Sequence, residues 1–402
     1  MFREEPLRLI RWEPNYTFTM HVLLVEPAYH TRFPPLGLLK LATFHRFEGD
    51  TIELVRGCVK PRERPDIVYV TSLYTWAWKP VWDVVRYYKI MFPDVQVWLG
   101  GIYASLMPEH ARRSGADRVF VGIFEEAEEL LPSYDLVPEW DGSIIFTSRG
   151  CSNRCPYCAV WRLEGKLNSC RRSIKHLVYP KHSRIIIWDN NILQSPYWRE
   201  IFAELIQFSK RKGMSIDFNQ GLDARLITDE VADKLVNMRL QCVRLAYDYD
   251  QVEPYVKNAI EKLSIRGIRK RSIFVYILYN FEDSPESFFK RVKDVLEWGA
   301  VAYPMRYEPL NALERWKHIG PKWDKERLET VEDFRRIYGY GGTFPPYKWL
   351  VEKFKKAECF DEAFTLPREY EHPKRVNKPY HAKWQREADW RKVVSHILSK
   401  QW

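Results

Sequence analysis

The sequence has no run approaching the roughly 18–20 consecutive apolar residues that a membrane span needs, so no membrane partner is expected. Met1 to Tyr16 is charged and interrupted by proline, without the apolar core of a signal peptide, which makes the cytoplasm the expected compartment. There is no repeat of solenoid type and no low-complexity tract. A disulfide framework is missing too. The seven cysteines are Cys58, Cys151, Cys155, Cys158, Cys170, Cys242 and Cys359, and three of them crowd into eight residues while the rest are scattered. In a reducing compartment such crowding reads as metal binding or redox chemistry.

What is present points to a multidomain soluble chain. At 402 residues it exceeds a single core of ordinary size, so two or three domains are expected. A hydrophobic share of 46% with 29% charged residues fits a globular protein. The net charge of +10 suits a polyanion, an anionic cofactor or a nucleotide-like substrate, and equally a plain solvated basic surface. The 16 Trp, 23 Tyr and 21 Phe are not easily all buried, so some should line surfaces or pockets.

Short apolar runs alternate with helical stretches from His21 to about Leu131. Strands are expected at Val22–Val25, Ile52–Val55, Ile67–Val70, Val95–Leu99 and Val119–Val121. Helices are expected near Leu36–Arg46, Pro80–Met91, Ser105–Arg113 and Glu125–Leu131. This alternation predicts a doubly wound parallel sheet, Rossmann-like, over residues 1–135, with ligands beyond the carboxyl ends of its strands. Pro132 to Asp141 reads as a linker.

A second alternation fills residues 140–310, with strands at Ser143–Thr147, Arg184–Trp188, Ser215–Asn219, Cys242–Ala246, Ile273–Tyr279 and Ala300–Arg306. Helices such as Trp198–Arg211, Thr228–Met238 and Ser284–Trp298 complete a partial or full β/α (TIM-type) barrel, whose chemistry belongs at the carboxyl ends of the strands. Residues 311–402 read as a mainly helical, basic region, with helices near Glu326–Ile337 and Tyr347–Lys356, expected to cover the barrel mouth. Its last stretch, Pro367 to Trp402, interleaves Lys and Arg with Trp384, Trp390 and Trp402, which suits either base stacking or a solvated helix packed on the barrel.

The decisive segment is Arg149-Gly-Cys-Ser-Asn-Arg-Cys-Pro-Tyr-Cys158, with Cys151, Cys155 and Cys158 spaced Cys-x3-Cys-x2-Cys. Three thiolates from one tight loop can ligate three irons of a 4Fe-4S cubane, leaving the fourth iron open. Gly150 permits the turn. The alternatives are a structural zinc site, with Cys170 or His176 as fourth ligand, and three unrelated buried cysteines. The zinc reading would make the chain a non-catalytic nucleic-acid-binding protein; an ordinary four-ligand cluster would make it an electron carrier.

The spacing, with aromatic Tyr157 before the third cysteine, resembles the signature of the radical SAM superfamily. That resemblance implies an open iron binding S-adenosylmethionine, one-electron cleavage to a 5′-deoxyadenosyl radical, and attack on an unactivated carbon. It also implies a reductase or a flavodoxin- or ferredoxin-type electron donor. Where the superfamily often carries a Gly-Gly-Glu type motif, this chain has Trp188-Asp189-Asn190-Asn191. Asp189 and Asn190 are then candidates for the methionyl ammonium. Gln220 and Arg225 lie in the polar stretch after the third strand, Arg225 either toward a carboxylate or paired with Asp223. Arg244 and Asp248 correspond to the region that meets the SAM carboxylate and ribose, and Ile277 to the strand that passes the adenine. No catalytic residue beyond the cofactor sites is identified.

The order of domains resembles the subgroup with an N-terminal cobalamin-binding-type domain. The matching features are Pro34-Pro-Leu-Gly-Leu38, Thr71-Ser72-Leu73, Gly100-Gly101 and Gly122-Ile-Phe-Glu-Glu126. They make Ser72, Gly100, Gly101 and Gly122 candidate cofactor contacts. The cobalt-ligating Asp-x-His-x-x-Gly loop is absent: Glu26-Pro-Ala-Tyr-His-Thr-Arg32 misplaces His30. Two expectations stand: cobalamin binding with methyl transfer to carbon, or a domain that has lost the cofactor and serves as a scaffold. A methylthiotransferase is disfavoured, because its N-terminal domain carries three cluster cysteines and this one has Cys58 alone. RNA, a peptide or protein side chain, and a small metabolite all remain open as substrate.

Overall fold

The computed structural model describes residues 19–366, so the basic Trp-containing stretch from Pro367 lies outside the described residues. The first sheet has five parallel strands, β1 (His21–Glu26), β2 (Thr51–Arg56), β3 (Ile67–Ser72), β4 (Gln96–Gly101) and β5 (Arg118–Val119), in the order β2-β1-β3-β4-β5. Helix α1 (Leu36–Phe47) covers one face and α2 (Trp78–Met91) the other. Val22 and Leu24 of β1 pack with Leu38 and Ala42 of α1, whereas Leu23 and Val25 join the core containing Val81, Val84 and Val85 of α2. Cover on both faces is why β1 reads as an unbroken apolar run rather than an alternation. The strand order reverses between β1 and β3, which leaves a crevice beyond their carboxyl ends.

Three local expectations change. The helix expected at Ser105–Arg113 is two short helices, α3 (Ile102–Leu106) and α4 (Pro108–Arg112). Pro108 pushes Met107 out of helical geometry, to ψ 59, and so separates them. Glu125–Leu131 forms only a 3-10 turn at Glu125–Ala127. The expected linker is packed: Tyr134 is buried, and its hydroxyl accepts from the Ile144 amide at 2.8 Å.

The second unit has six strands, β6 (Ser143–Ile145), β7 (Arg184–Ile187), β8 (Ser215–Phe218), β9 (Val243–Ala246), β10 (Ile273–Tyr279) and β11 (Val301–Arg306). They form two parallel three-stranded sheets, β6-β7-β8 and β11-β10-β9, that adjoin where Ile216 bridges Leu240 just before β9. The result is a partial β/α barrel. Outside it lie α6 (Trp198–Lys212), α7 (Asp229–Leu235), α8 (Glu253–Ile265) and α9 (Pro285–Glu297), whereas the short α5 (Val160–Leu163) belongs to the loop that follows β6. Thr228 and Ser284 cap α7 and α9, each accepting from an amide three residues on. Helix α8 fills the gap between β9 and β10 and buries Val256, Ala259, Ile260 and Leu263 on one face.

Strand β10 shows how the layers are sorted. Ile273, Val275, Ile277 and Tyr279 enter the core shared with the helices, while the Tyr276 ring meets Tyr303 of β11 at 4.8 Å on the opposite, lumen side. Helices α10 (Lys325–Ile337), α11 (Lys348–Lys356) and α12 (Phe360–Ala363) follow. They were expected over the mouth. Instead Leu328, Phe334, Phe354 and Phe360 join the outer core, where the Phe288 ring of α9 stacks on Phe364 at 5.6 Å. Each buried ring of this kind contributes about 2 kcal/mol.

The units meet at their strand ends. Phe33, beyond β1, packs edge-on to Trp188, beyond β7, at 5.0 Å. Beyond β3, the Thr75 hydroxyl donates to the Ala312 carbonyl at 2.7 Å and the Trp78 indole to Leu313 at 3.2 Å, both beyond β11. The carboxyl ends of the first sheet and of the barrel strands therefore face a shared space. Among the described residues no helix is long and apolar enough to cross a membrane.

Candidate functional site

The cysteine loop leaves the end of β6 and is closed like a hairpin. Arg149 forms an antiparallel bridge with Asn168, and the Cys151 amide donates to the Gly165 carbonyl at 3.2 Å. Gly150 has φ +71, and a Cβ there would lie 2.2 Å from the Lys166 carbonyl oxygen, so both the turn and the close approach demand glycine. Within the loop the Cys158 amide donates to the Cys155 carbonyl at 3.0 Å, and the Trp161 indole to the same oxygen at 2.9 Å.

The three cysteines are brought together and half-buried. Burial raises the Cys155 and Cys158 thiols above their ordinary range, and the neighbouring sulfurs add to the rise. Backbone amides of Asn153 and Val160 donate to the Cys151 and Cys158 sulfurs at 3.4 Å each. Sulfurs that resist ionisation alone, yet are supplied with N–H donors, fit a cationic iron core that would take them as thiolates. Among the described residues no group of three or more His, Cys, Asp and Glu converges to hold a single metal ion. A cubane does not ask for that convergence, because each thiolate takes its own iron corner.

Around the loop, Tyr157 donates its hydroxyl to Asp248, beyond β9, at 2.7 Å and stands beside the Cys155 thiol. Burial pushes the Asp248 carboxyl above its ordinary range, against the pull of Tyr157 and Arg291. Arg225 forks onto Asp223 at 2.8 and 2.7 Å, so its guanidinium is paired within the protein; its charge also reaches Cys155. Asp223 accepts in addition from Asn153 and Asn191, at 3.2 and 3.0 Å. The Asn191 side-chain oxygen, Oδ1, is buried with no hydrogen-bond partner.

The other sequence candidates are placed differently. Asp189 is buried, and both its oxygens are taken by the end of β6: the Thr147 amide and hydroxyl at 2.5 Å each and the Ser148 hydroxyl at 2.6 Å. Burial raises its carboxyl to about 6. Asn190 donates to Glu164 at 3.0 Å. Gln220 is exposed. Arg244 pairs with Asp217 of β8 in the lumen, its charge reinforced by that carboxylate against burial. The Ile277 side chain faces the helices and not the lumen, because the alternation along β10 turns every second residue outward.

Several participants carried no sequence signal. The Gln194 side-chain oxygen accepts from the Ser152 amide at 3.0 Å and from the Cys151 thiol at 3.8 Å. Arg291 of α9, fully buried, donates to the carbonyls of Tyr247, Asp248 and Leu278 at 3.1, 2.9 and 2.8 Å and to Asp283 at 2.6 Å, tying together the ends of β9 and β10. Burial draws the Lys40 ammonium down to about 8 although Glu128 beside it pulls the other way. Glu128 is held below the usual carboxylate range: burial opposes this, but Arg149 and Lys40 outweigh it.

In the first unit, Ser72 donates to the Gly100 carbonyl at 2.7 Å and accepts from the Ala104 amide at 3.1 Å. A Cβ on Gly101 would fall 2.3 Å from the Ser72 carbonyl oxygen. These two residues therefore lock β3 to β4. Gly122, with φ +99, faces open space. At the crevice, Tyr74 stacks on Trp76 at 4.5 Å just beyond β3, and buried Glu26 closes the end of β1.

Residues 29–132 match the family model of the B12 binding domain. No curated protein matches the chain in sequence. Among solved structures, the fold is similar to that of the radical S-adenosylmethionine methyltransferase TsrM from Kitasatospora setae with cobalamin and a 4Fe-4S cluster bound. The identity is 15%, the TM-score 0.55, and the match covers 81% of this chain and 77% of that one. The same enzyme with tryptophan substrate and the SAM analogue aza-SAM gives 15%, a TM-score of 0.56, and 80% and 78%. At this identity the likeness is one of fold.

Proposed function

We propose that the chain is a radical SAM enzyme that also binds cobalamin and acts as a methyltransferase on an unactivated carbon. The observation that carries this reading is the facing of two sites: a loop that brings three cysteines together beyond β6, and a B12-type crevice beyond β1 and β3, opening on one shared space. When bound, a 4Fe-4S cluster supplies an electron to the sulfonium of S-adenosylmethionine, and a corrin supplies a methyl-carrying cobalt.

Cys151, Cys155 and Cys158 would hold the cluster. Tyr157 and Asp248 fix the second half of the loop through their hydrogen bond. Asp189 is a positioning residue, fastening the start of the loop to β7. Asn191, with its unpartnered oxygen, and Asn190 offer polar contacts to the methionyl end of S-adenosylmethionine. The lumen residues Tyr276 and Ala246 replace Ile277 as the surface for adenine. The packing of Phe33 on Trp188 helps to exclude water from the shared space. Small-molecule, peptide and RNA substrates remain within this reading, as does a flavodoxin- or ferredoxin-type donor.

Anaerobic reconstitution with iron, sulfide and hydroxocobalamin tests it. The expected product holds about four irons per chain and a corrin absorption that survives gel filtration. Iron without corrin would leave a radical SAM enzyme on a scaffold domain; a colourless protein would end the reading.

A further inference from the structure

We propose that Glu128 is an inter-domain positioning residue that fixes the cysteine loop relative to the N-terminal crevice, and thereby the separation of the two cofactors. This rests on the functional reading above. Glu128 lies beyond β5, with its side chain 16% exposed. Its carboxylate receives the fork of Arg149, Nε to Oε2 at 2.8 Å and Nη2 to Oε1 at 2.9 Å. Lys40 of α1 donates to the Glu128 carbonyl at 2.8 Å and to Oε1 at 3.3 Å, and Arg171 donates to the same carbonyl at 3.1 Å.

From there the connection runs into the loop. Arg149 stands two residues before Cys151 and also donates to Glu164 at 3.4 Å. The other Glu164 oxygen accepts from the Gly150 amide at 2.8 Å and from Asn190 at 3.0 Å. An unbroken set of charge-assisted bonds thus leads from helix α1 through Glu128 and Arg149 to the residue preceding Cys151. The contacts at Thr75 and Trp78 join the units elsewhere, and Phe33 reaches the foot of the loop only through rings, by way of Trp188 and of Phe146, over which the Arg149 guanidinium lies. Arg–carboxylate forks impose direction as well as attraction, which a ring contact does not. Direction matters here, because a displacement of about 1 Å between reacting groups can lower a rate by about 100-fold.

A merely structural ion pair behaves differently when removed. Buried pairs can often be replaced by apolar residues of similar volume without loss of stability. The double variant Lys40→Met/Glu128→Leu therefore separates stability from positioning, and Arg149 keeps Glu164 as a partner. Lys40→Arg is the conservative control. The readout is the distance between cobalt(II) of the bound corrin and the reduced cluster, measured by pulsed EPR on protein whose iron, corrin content and melting temperature have been determined.

Wild type and Lys40→Arg should show one narrow distance. The double variant should lose it while keeping its cofactors and its melting temperature. Where the double variant does not load, Glu128→Gln, which keeps the shape and removes the charge, is held to the same criterion. The narrow distance persisting in the variant overturns the proposal alone; absence of corrin or iron from the wild type overturns the functional reading and this proposal with it.

Discussion

Replacing Arg291 with Met should destabilise the barrel more than any other single change among the residues discussed. The guanidinium is fully buried and is bonded to three carbonyls at the ends of β9 and β10 and to the Asp283 carboxylate. Methionine fills much the same space, so the apolar term changes little. What changes is polar. Each buried carbonyl left without a donor costs about 1–3 kcal/mol, and breaking a buried ion pair by removing one partner costs about 3–5 kcal/mol. These terms overlap, so a total of about 5 kcal/mol is expected, comparable with the entire stability of a small domain. Asp283→Asn added to Arg291→Met should recover about 2 kcal/mol by removing the stranded charge. Urea unfolding followed by tryptophan fluorescence measures both variants. A loss below about 1 kcal/mol for Arg291→Met would refute the reasoning, since the network would then be ornamental. Iron retention should fall in parallel, because Arg291 holds the backbone of Asp248, and Asp248 holds Tyr157 beside Cys155.

Three further outcomes follow from the same geometry. Gly150→Ala should fail to retain iron, because its methyl would meet the Lys166 carbonyl at 2.2 Å; iron assay after anaerobic reconstitution decides it. Gly101→Ala, whose methyl would lie 2.3 Å from the Ser72 carbonyl, should abolish corrin retention while iron loading of the barrel persists. Asp189 is raised from 3.8 to about 6 by burial, so its contribution favours the fold below about pH 4 and is lost as pH rises through about 6. The loss is about 3 kcal/mol, and Asp189→Asn should flatten the melting temperature of the apo chain across that window, whereas an unchanged slope would show that Asp189 does not cause it.

Much of the fold could be read in advance because its strands are covered on both faces and stand out as apolar runs, as at Val22–Val25 and Arg184–Trp188. Errors arose where tertiary contacts decide. The turn at Glu125–Ala127 did not extend into a helix, and Glu128 just beyond it turns into the contact with Arg149. Ile277 was named because it lies on the strand expected to pass the adenine; that position was legible but the outward direction of its side chain was not, and one residue of register reverses the face. In the site, the cysteines were legible through chemistry confined to eight residues. Gln194, Glu128 and Arg291 were not, because each acts through partners far away in sequence, 43, 21 and 44 residues in the contacts with Cys151, Arg149 and Tyr247. Asp189 shows a third case. Its position at the strand end was correctly read, but the carboxylate faces the protein and holds β6.

The central claim is that the three cysteines hold a cluster with an iron open to S-adenosylmethionine. EPR of the reconstituted, dithionite-reduced protein with and without S-adenosylmethionine tests it most directly. The account predicts a cluster signal that changes shape on addition of S-adenosylmethionine and is absent in Cys155→Ala. A cluster signal indifferent to S-adenosylmethionine, or one that survives in Cys155→Ala, would contradict it.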